Sequence, residues 1–223
     1  MQIETLSDAS LLVIVGEKAG GDDDATAQQV RALADAMRAH PLIGVHDIVP
    51  SYRSIGVHYD PLIAGSQECV RTWLSNLESN RNGSGGGGHR VREIVIPVCY
   101  GGSYGPDLAD VAKYTKLSPQ EIIARHSSAR YIVRAVGFVP SFAYLAGLPE
   151  QLATPRKAVP RTRVPAGSVA IAGLQTGVYP LETPGGWQII GRTSLQMFQP
   201  NRNPASLLQM GDHVRFQPME ARP

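Results

Sequence analysis

The sequence predicts an α+β protein with two domains, one over residues 1–92 and one over residues 93–223. In the first 82 residues, apolar positions recur with strand spacing and with helix spacing in turn. Beyond residue 93, short apolar runs are separated by Gly and Pro, and many short strands with dense turns are typical of a closed barrel or sandwich. A glycine-rich run at residues 82–88 separates the two patterns and is typical of a flexible loop.

The first domain is predicted to contain its elements in the order strand, strand, helix, strand, strand, helix. The strands are predicted at residues 2–6, 11–15, 45–49 and 54–59, the last from strict alternation of apolar positions. Each helix has one apolar face, formed by Val30, Leu33, Ala34 and Met37, and by Val70, Trp73, Leu74 and Leu77. Helices on one face of a mainly antiparallel sheet are the simplest packing of these elements.

The second domain begins with a predicted strand at residues 93–98. Asp107 then stands where it can cap a short helix. Ser118 and Glu121 form a capping-box pattern, which predicts a second helix that ends near His126. Further strands are predicted at residues 131–136, 168–172, 178–179, 187–190 and 213–216.

The charge of the chain argues against a nucleic-acid-binding protein. The formal net charge is +2, from 21 basic and 19 acidic residues. The densest basic cluster consists of Arg156, Lys157, Arg161 and Arg163, and it is smaller than a stripe that neutralises several phosphates. This cluster fits a solvated loop as well as it fits a site for an anion or a partner.

Several other kinds of site are not expected from the sequence. Cys69 and Cys99 form no CxxC pair and are predicted to be buried thiols. The histidines are dispersed, without HxH or HxxxH spacing, so no metal site is predicted. The glycine-rich run has no Lys and no GxxxxGK[ST] pattern, so it is predicted to be a loop rather than a nucleotide cradle. Without a signal peptide or an apolar run of about 18 residues, a soluble cytoplasmic protein is expected.

Four strings in the sequence carry a resemblance to a known family. They are VCYGGSYGPDL at residues 98–108, GFVPSFAYL at residues 137–145, the segment from PR at 155–156 through PR at 160–161 to VPAGSV at 164–169, and PGGWQIIGRT at residues 184–193. In order and spacing they resemble the family of KipI, 5-oxoprolinase B subunits and allophanate hydrolase subunit 1, with its carboxyltransferase domain, subdomains C and D. The resemblance covers roughly residues 1–200.

The resemblance implies an N-terminal α/β sandwich of ferredoxin-like type followed by a cyclophilin-like β-barrel. It implies a subunit of an ATP-dependent 5-oxoprolinase, which opens 5-oxo-L-proline to L-glutamate. The implied partners are a homologous second subunit, of the C type, and a lactam-binding subunit, of the A type. The implied cofactor is ATP with Mg²⁺, bound in the complex. A KipI-like inhibitor of a histidine kinase, and a carboxyltransferase-type component of a urea carboxylase or allophanate hydrolase system, stay open as alternatives.

Opening a lactam with ATP requires cations for the phosphoryl oxygens and a group that transfers protons. Arg156 and Arg161 are predicted catalytic cations, and Arg192 a binding cation, because each lies in a matching string and a guanidinium can bind phosphate or carboxylate through two hydrogen bonds. A salt bridge at the surface or to a partner is the alternative for each. His126 is the predicted acid/base, because its unperturbed pKa lies near 6.5. Its alternative role is a favourable charge at a helix C-terminus.

A second set of residues is predicted to bind substrate or nucleotide in a barrel pocket. Tyr144, Ser168, Gln175 and Tyr179 would supply polar groups, and Trp187 an aromatic wall, although packing and turn roles fit these residues too. Ser141 stands where the family usually has Gly, so a positive φ there would add strain.

Overall fold

The computed structural model describes residues 1–16, 24–65, 67–83 and 92–220. The chain divides into two compact units, Met1–Arg90 and Val91–Pro223. The loop was predicted over residues 82–88, but Asn82 and Gly83 belong to the end of a helix. Residues 84–88 lie outside the described residues, so the loop there stays a prediction. No helix in the described part of the chain has the length and apolar character needed to cross a membrane.

The first unit contains a four-stranded antiparallel sheet with helices. Its strands are β1 (Gln2–Ser7), β2 (Ser10–Ile14), β3 (Val45–Ser51) and β4 (Ser54–Tyr59), in the order β1–β2–β4–β3. Its helices are α1 (Asp24–Ala39), the short α2 (Pro61–Ala64) and α3 (Gln67–Gly83). The α+β character is confirmed. The ferredoxin-like type is not confirmed, because the elements run strand, strand, helix, strand, strand, helix, helix and every described strand pair of this sheet is antiparallel.

The second unit contains a closed β-barrel. Its strands are β5 (Glu93–Tyr100), β6 (Tyr131–Val136), β7 (Ala143–Ala146), β9 (Ser168–Ala172), β10 (Gln175–Val178), β12 (Gln188–Arg192) and β13 (His213–Pro218). They are hydrogen-bonded in the order β6–β13–β5–β12–β9–β10–β7, and β7 pairs back to β6. Closure removes the exposed edges of the sheet. The unit also contains helices α4 (Leu108–Thr115) and α5 (Pro119–Ser128), a 3₁₀ turn (Glu150–Leu152), and a two-stranded sheet of β8 (Arg161–Val164) and β11 (Thr183–Gly185).

The alternation of side chains along the barrel strands creates two apolar clusters. On β9, Val169 and Ile171 belong to one cluster, together with residues of α4 and α5. Ala170 and Ala172 point the other way and pack with Trp187 and other aromatic residues. The first cluster includes residues from strands on opposite sides of the barrel, so it is the interior core. The second cluster lies on the outer face of the barrel, and this face carries the site described below.

Local sequence signals predicted most of these elements. Two expectations, the capping role of Asp107 and the burial of the cysteines, differ from what the structure shows. The capping box of Ser118 and Glu121 is confirmed at the start of α5. Asp107 occupies the N-cap position of α4 but makes no side-chain capping bond there. Both cysteines are free, but Cys69 is exposed and Cys99 half-buried, so the prediction of buried thiols was wrong. Strands β7, β8 and β11 were not predicted.

Candidate functional site

A buried carboxylate joins the start of α4 to the basic segment that precedes and begins β8. The side chain of Asp107 is 2% exposed, and its Oδ1 accepts hydrogen bonds from Lys157 Nζ at 2.9 Å and from Arg161 Nη2 at 2.6 Å. Its Oδ2 accepts from the backbone N–H of Ile189 at 2.7 Å. Burial by itself would raise the pKa of Asp107, but the hydrogen bonds from Arg161 and Lys157 outweigh burial, so the pKa is lowered. We call Asp107, Lys157 and Arg161 the Asp107 cluster.

The glycine-rich turn before α4 positions this carboxylate. The backbone N–H of Asp107 donates to Ile189 O at 2.9 Å, so Asp107 is bonded to Ile189 of β12 through both its backbone and its side chain. Gly105 has no room for a side chain, since a Cβ there would lie 2.1 Å from Ile190 O. The close approach of this turn to β12 therefore requires glycine and fixes where the Asp107 carboxylate points.

Four aromatic side chains lie on the outer face of the barrel, and we call them the aromatic face. Phe142 is at their centre, with ring centroids 4.9 Å from Tyr144, 5.2 Å from Tyr179 and 5.4 Å from Trp187, all in edge-on arrangements. The guanidinium of Arg156 lies over the Trp187 ring, 5.9 Å from its centroid. Arg156 is exposed, whereas Trp187 is buried, so the pair presents the cation to solvent and the ring to the core.

Tyr179 links the aromatic face to the Asp107 cluster. Burial raises the pKa of the Tyr179 hydroxyl, while a hydrogen bond from the Trp187 backbone and the charges of Arg156 and Arg161 act in the opposite direction. Arg161 pairs with Gly185 in the two-stranded sheet of β8 and β11, and Gly185 lies against the Tyr179 hydroxyl, so β8 carries Arg161 next to Tyr179. Gly185 allows this packing, because a Cβ on Gly185 would lie 2.4 Å from Tyr179 Oη. The arrangement places one exposed guanidinium beside an aromatic wall, with two further cations fixed on a buried carboxylate.

Five of the predicted site residues are brought together here, namely Arg156, Arg161, Tyr144, Tyr179 and Trp187. Two roles were considered for Trp187 from the sequence, an aromatic wall and a packing residue. It is a buried core residue whose ring also contacts the Arg156 guanidinium. The other binding residues have different surroundings. Ser168 is buried and donates from its hydroxyl to Pro165 O at 2.7 Å, which is a turn contact. Gln175 is half-buried at the first position of β10.

His126 lies in the interior core. It is fully buried, and its ring packs between Tyr100, Tyr131 and Phe216. Thr176 Oγ1 donates to Ala170 O at 3.0 Å, so it accepts from His126 Nε2 at 2.9 Å. The other nitrogen, Nδ1, then accepts from the Tyr100 hydroxyl at 2.8 Å.

Burial lowers the pKa of His126 to about 3, so the ring is neutral near pH 7. A neutral ring cannot provide the charge at a helix C-terminus that was its alternative role. The acid/base role of His126 stays a prediction, but both ring nitrogens already form hydrogen bonds inside the core.

Arg192 lines a groove on the second unit whose lining shares no residue with the Asp107 cluster or the aromatic face. Its Nε donates to Ala166 O at 3.0 Å, and the side chain is exposed. The structure therefore separates Arg192 from the other predicted cations.

Three residues of the site were not predicted from the sequence. Asp107 lies in the first family string, but its position before a helix was interpreted as a cap. Lys157 was noted in the basic cluster without a role. Gln188, next to Trp187, is buried and donates from Nε2 to Pro155 O at 2.9 Å, which holds the segment that carries Arg156.

Comparison with known proteins places the chain in a family. Residues 1–208 match the family described as the carboxyltransferase domain, subdomain C and D. The chain belongs to this family. Its relatives include 5-oxoprolinase B subunits from several bacteria. The one from Bacillus subtilis (strain 168) is 41% identical over 236 residues, which cover 96% of this chain and 91% of the relative. The one from Escherichia coli O157:H7 is 46% identical over 197 residues, covering 87% of each.

A solved structure has the same fold as this chain. The crystal structure of TTHA0988 matches with a TM-score of 0.81 and 36% sequence identity over 96% of this chain. This chain spans 40% of the length of that protein. The aromatic face and the Asp107 cluster therefore lie on a fold shared within the family.

Proposed function

We propose that this chain is a cytoplasmic subunit of an ATP-dependent 5-oxoprolinase, which opens 5-oxo-L-proline to L-glutamate. The observation that carries the proposal is the identity of 41% and 46% to two 5-oxoprolinase B subunits over most of both chains. The proposed partners are a homologous second subunit, of the C type, and a lactam-binding subunit, of the A type. The function of the relatives favours this assignment over a kinase inhibitor or a urea carboxylase component.

The chemistry requires the lactam oxygen to become a leaving group. In the proposed reaction the lactam oxygen takes the γ-phosphoryl group of ATP and ADP leaves. Water then attacks the lactam carbon, and the C–N bond breaks as the nitrogen takes a proton, which leaves an acyl phosphate. A second water releases phosphate and the carboxylate of L-glutamate. ATP, with Mg²⁺, supplies the phosphoryl group. This subunit supplies groups that bind and orient anions, and we place them at the aromatic face and the Asp107 cluster.

Arg156 is the cation of this site that is available to a ligand. Asp107 is ionised and accepts hydrogen bonds from both Lys157 and Arg161, which fixes these two cations in position. Arg156 forms no ion pair with any described residue and contacts the Trp187 ring instead. A guanidinium in this state can bind a substrate carboxylate, while the neighbouring aromatic wall excludes water from one side.

The proton-transfer role predicted for His126 is not part of this proposal. Its ring is completely buried, and burial lowers its pKa to about 3. A general base at neutral pH works best with a pKa near the working pH.

The proposal is tested by ADP release. The purified chain alone should show no ATP hydrolysis that depends on 5-oxoproline, whereas a mixture with both partner subunits should show it. The reason is that the chain alone lacks the proposed lactam-binding subunit, so a phosphoryl-transfer site is not complete. If three folded subunits together release no ADP in response to 5-oxoproline, the enzyme assignment is rejected.

The role of Arg156 is tested by Arg156→Ala in the reconstituted complex. Loss of one charge-assisted contact should lower the turnover roughly tenfold to hundredfold. The fold should survive, because Arg156 is exposed. Arg163→Ala is the matched control, since its side chain is 76% exposed and pairs with Glu182. Equal turnover in the two variants would remove Arg156 from the site.

A further inference from the structure

A second site is indicated by the groove that contains Arg192. The groove has a volume of about 1210 Å³ and is built entirely from described residues of the second unit. Its lining includes Tyr104, Gly167, Arg192, Leu195, Phe198 and Arg202. Small-molecule sites commonly measure roughly 300–1,000 Å³, so the groove has room for a ligand as large as a nucleotide.

The two arginines of this groove contact carbonyl groups and not carboxylates, unlike several other arginines of the same unit. Arg192 donates from Nε to Ala166 O at 3.0 Å. Arg202 donates from Nε to Pro204 O at 3.0 Å and from Nη2 to Ala205 O at 3.3 Å. Both therefore contact neutral carbonyl groups, and neither forms an ion pair within the described part of the chain.

Four arginines elsewhere on the second unit each bind a carboxylate. Arg92 pairs with Asp212, Arg161 with Asp107, Arg163 with Glu182, and Arg215 with Glu93. The groove brings together two cations whose charge is not compensated by an ion pair, and Glu220 is the one acidic residue among the described residues of its lining. The charge of the groove favours an anionic ligand.

The backbone around the groove holds Arg192 in place. The N–H of Thr193 donates to Gly167 O at 2.9 Å, which joins the end of β12 to the turn before β9. Gly167 has φ of +81°, and a Cβ there would lie 2.2 Å from Thr193 O, so this approach depends on glycine. The bond from Arg192 Nε to Ala166 O fixes the side chain across that turn, so less side-chain freedom is lost on binding.

We propose that this groove binds a ligand that carries phosphate or polyphosphate, with Arg192 and Arg202 as its cations. Planar guanidinium groups match phosphate oxygens through paired hydrogen bonds. The half-buried rings of Tyr104 and Phe198 and the Leu195 side chain favour a phosphate that is joined to a ring system, as in a nucleoside triphosphate. The inference rests on the proposed function, because it places a surface for the ATP of that reaction on this chain.

The test measures binding of ATP, tripolyphosphate and adenosine by calorimetry, to the full chain alone and to the reconstituted complex. The variants are Arg192→Gln and Arg202→Gln. Their controls are Arg163→Gln and Arg215→Gln, which remove the same charge from the same unit outside the groove. We expect each groove variant to raise the Kd for ATP at least about tenfold, and each control to change it less than about twofold. Binding should weaken as salt is raised.

The probes separate the two sources of phosphate. Tighter binding of ATP than of tripolyphosphate supports a nucleotide site, and equal binding of the two supports a site for the phosphate chain alone. Adenosine that binds as well as ATP would overturn the inference, and so would absence of ATP binding to both the chain and the complex.

The inference and the proposed function fail in different ways. If the complex releases ADP in response to 5-oxoproline, but both groove variants keep the wild-type Kd and KM for ATP, the groove assignment is wrong and the enzyme assignment stands. If ATP binds through Arg192 and Arg202 but no 5-oxoproline-dependent ADP release occurs, the groove assignment stands and the enzyme assignment fails.

Discussion

Replacing Asp107 by Asn removes the charge that fixes Lys157 and Arg161. The Asp107 side chain is 2% exposed, whereas the side chains of Lys157 and Arg161 are 25% and 28% exposed. Removing one partner of a fully buried ion pair costs about 3–5 kcal/mol. Because both cations keep some contact with water, we expect Asp107→Asn to lower the free energy of unfolding by about 2–4 kcal/mol. The Asn carbonyl can still accept from Ile189 N–H, so the change tests the charge.

The measurement is urea unfolding at pH 7.5, followed by tryptophan fluorescence and circular dichroism. Asp110→Asn is the matched control. Asp110 Oδ2 lies 3.6 Å from the same Lys157 Nζ, but its side chain is 69% exposed. An exposed pair of this kind contributes at most about 1 kcal/mol, so the control should change stability little. Equal losses for the two variants would refute the reasoning, because burial would then have no effect.

A comparison of wild type and Asp107→Asn at different pH values provides a second test. The pKa of Asp107 is lowered in the folded protein, so its carboxylate stabilises the fold at pH values above the unfolded pKa of about 3.9. This stabilisation is lost as the pH falls through the folded pKa. The stability difference between wild type and Asp107→Asn should therefore be constant above about pH 5 and shrink below about pH 4. A difference that stays constant down to about pH 2.5 would contradict the assignment.

Three further predictions follow from individual environments. The folded pKa of His126, about 3, lies below its unfolded value, so the His126 contribution to stability is complete above pH ~6.5 and decreases as the pH falls toward 3. His126→Gln should therefore reduce the shift of the urea midpoint between pH 7.5 and pH 5. An unchanged shift would count against this argument. Ser141 has φ of +68°, so Ser141→Gly should stabilise the protein by about 1 kcal/mol in thermal unfolding, and Ser141→Ala, which keeps the Cβ, should not. Gly185→Ala should cost roughly 1–3 kcal/mol, because its Cβ would lie 2.4 Å from Tyr179 Oη, whereas at Gly186 the nearest atom is 3.6 Å away and Ala should be tolerated; similar losses at both positions would contradict the packing argument.

Elements with a clear period were predictable from the sequence. The strands β6 (Tyr131–Val136) and β9 (Ser168–Ala172) have the bounds that were predicted. The apolar face of α1 is buried, as its helical spacing indicated. By contrast, β8 (Arg161–Val164) carries charged, exposed residues between prolines, which resembles a loop. Closure of the barrel depends on β7 pairing with both β6 and β10, and pairing between distant segments leaves no local pattern.

The site shows why local rules are incomplete. Asp before a helix is normally a cap, yet the Asp107 carboxylate binds partners 50 and 54 residues later in the chain. In the bonds to Lys157 and Arg161 both partners are charged, whereas in a capping bond only the carboxylate is charged, so the distant partners prevail. For His126 a signal was present in the sequence. Ile122 and His126 are four residues apart in α5 and share its buried face, which predicts a core position.

The partners of the basic residues separate structural from functional cations. Arg161 and Lys157 serve a buried carboxylate, so their removal leaves the Asp107 charge without compensation and should reduce stability. Arg156, Arg192 and Arg202 contact a ring or neutral carbonyls, so their removal leaves no buried charge unpaired. Variants of the second group should therefore fold normally and lose binding or turnover. This distinction explains why Arg161→Ala cannot by itself test catalysis, whereas Arg156→Ala can.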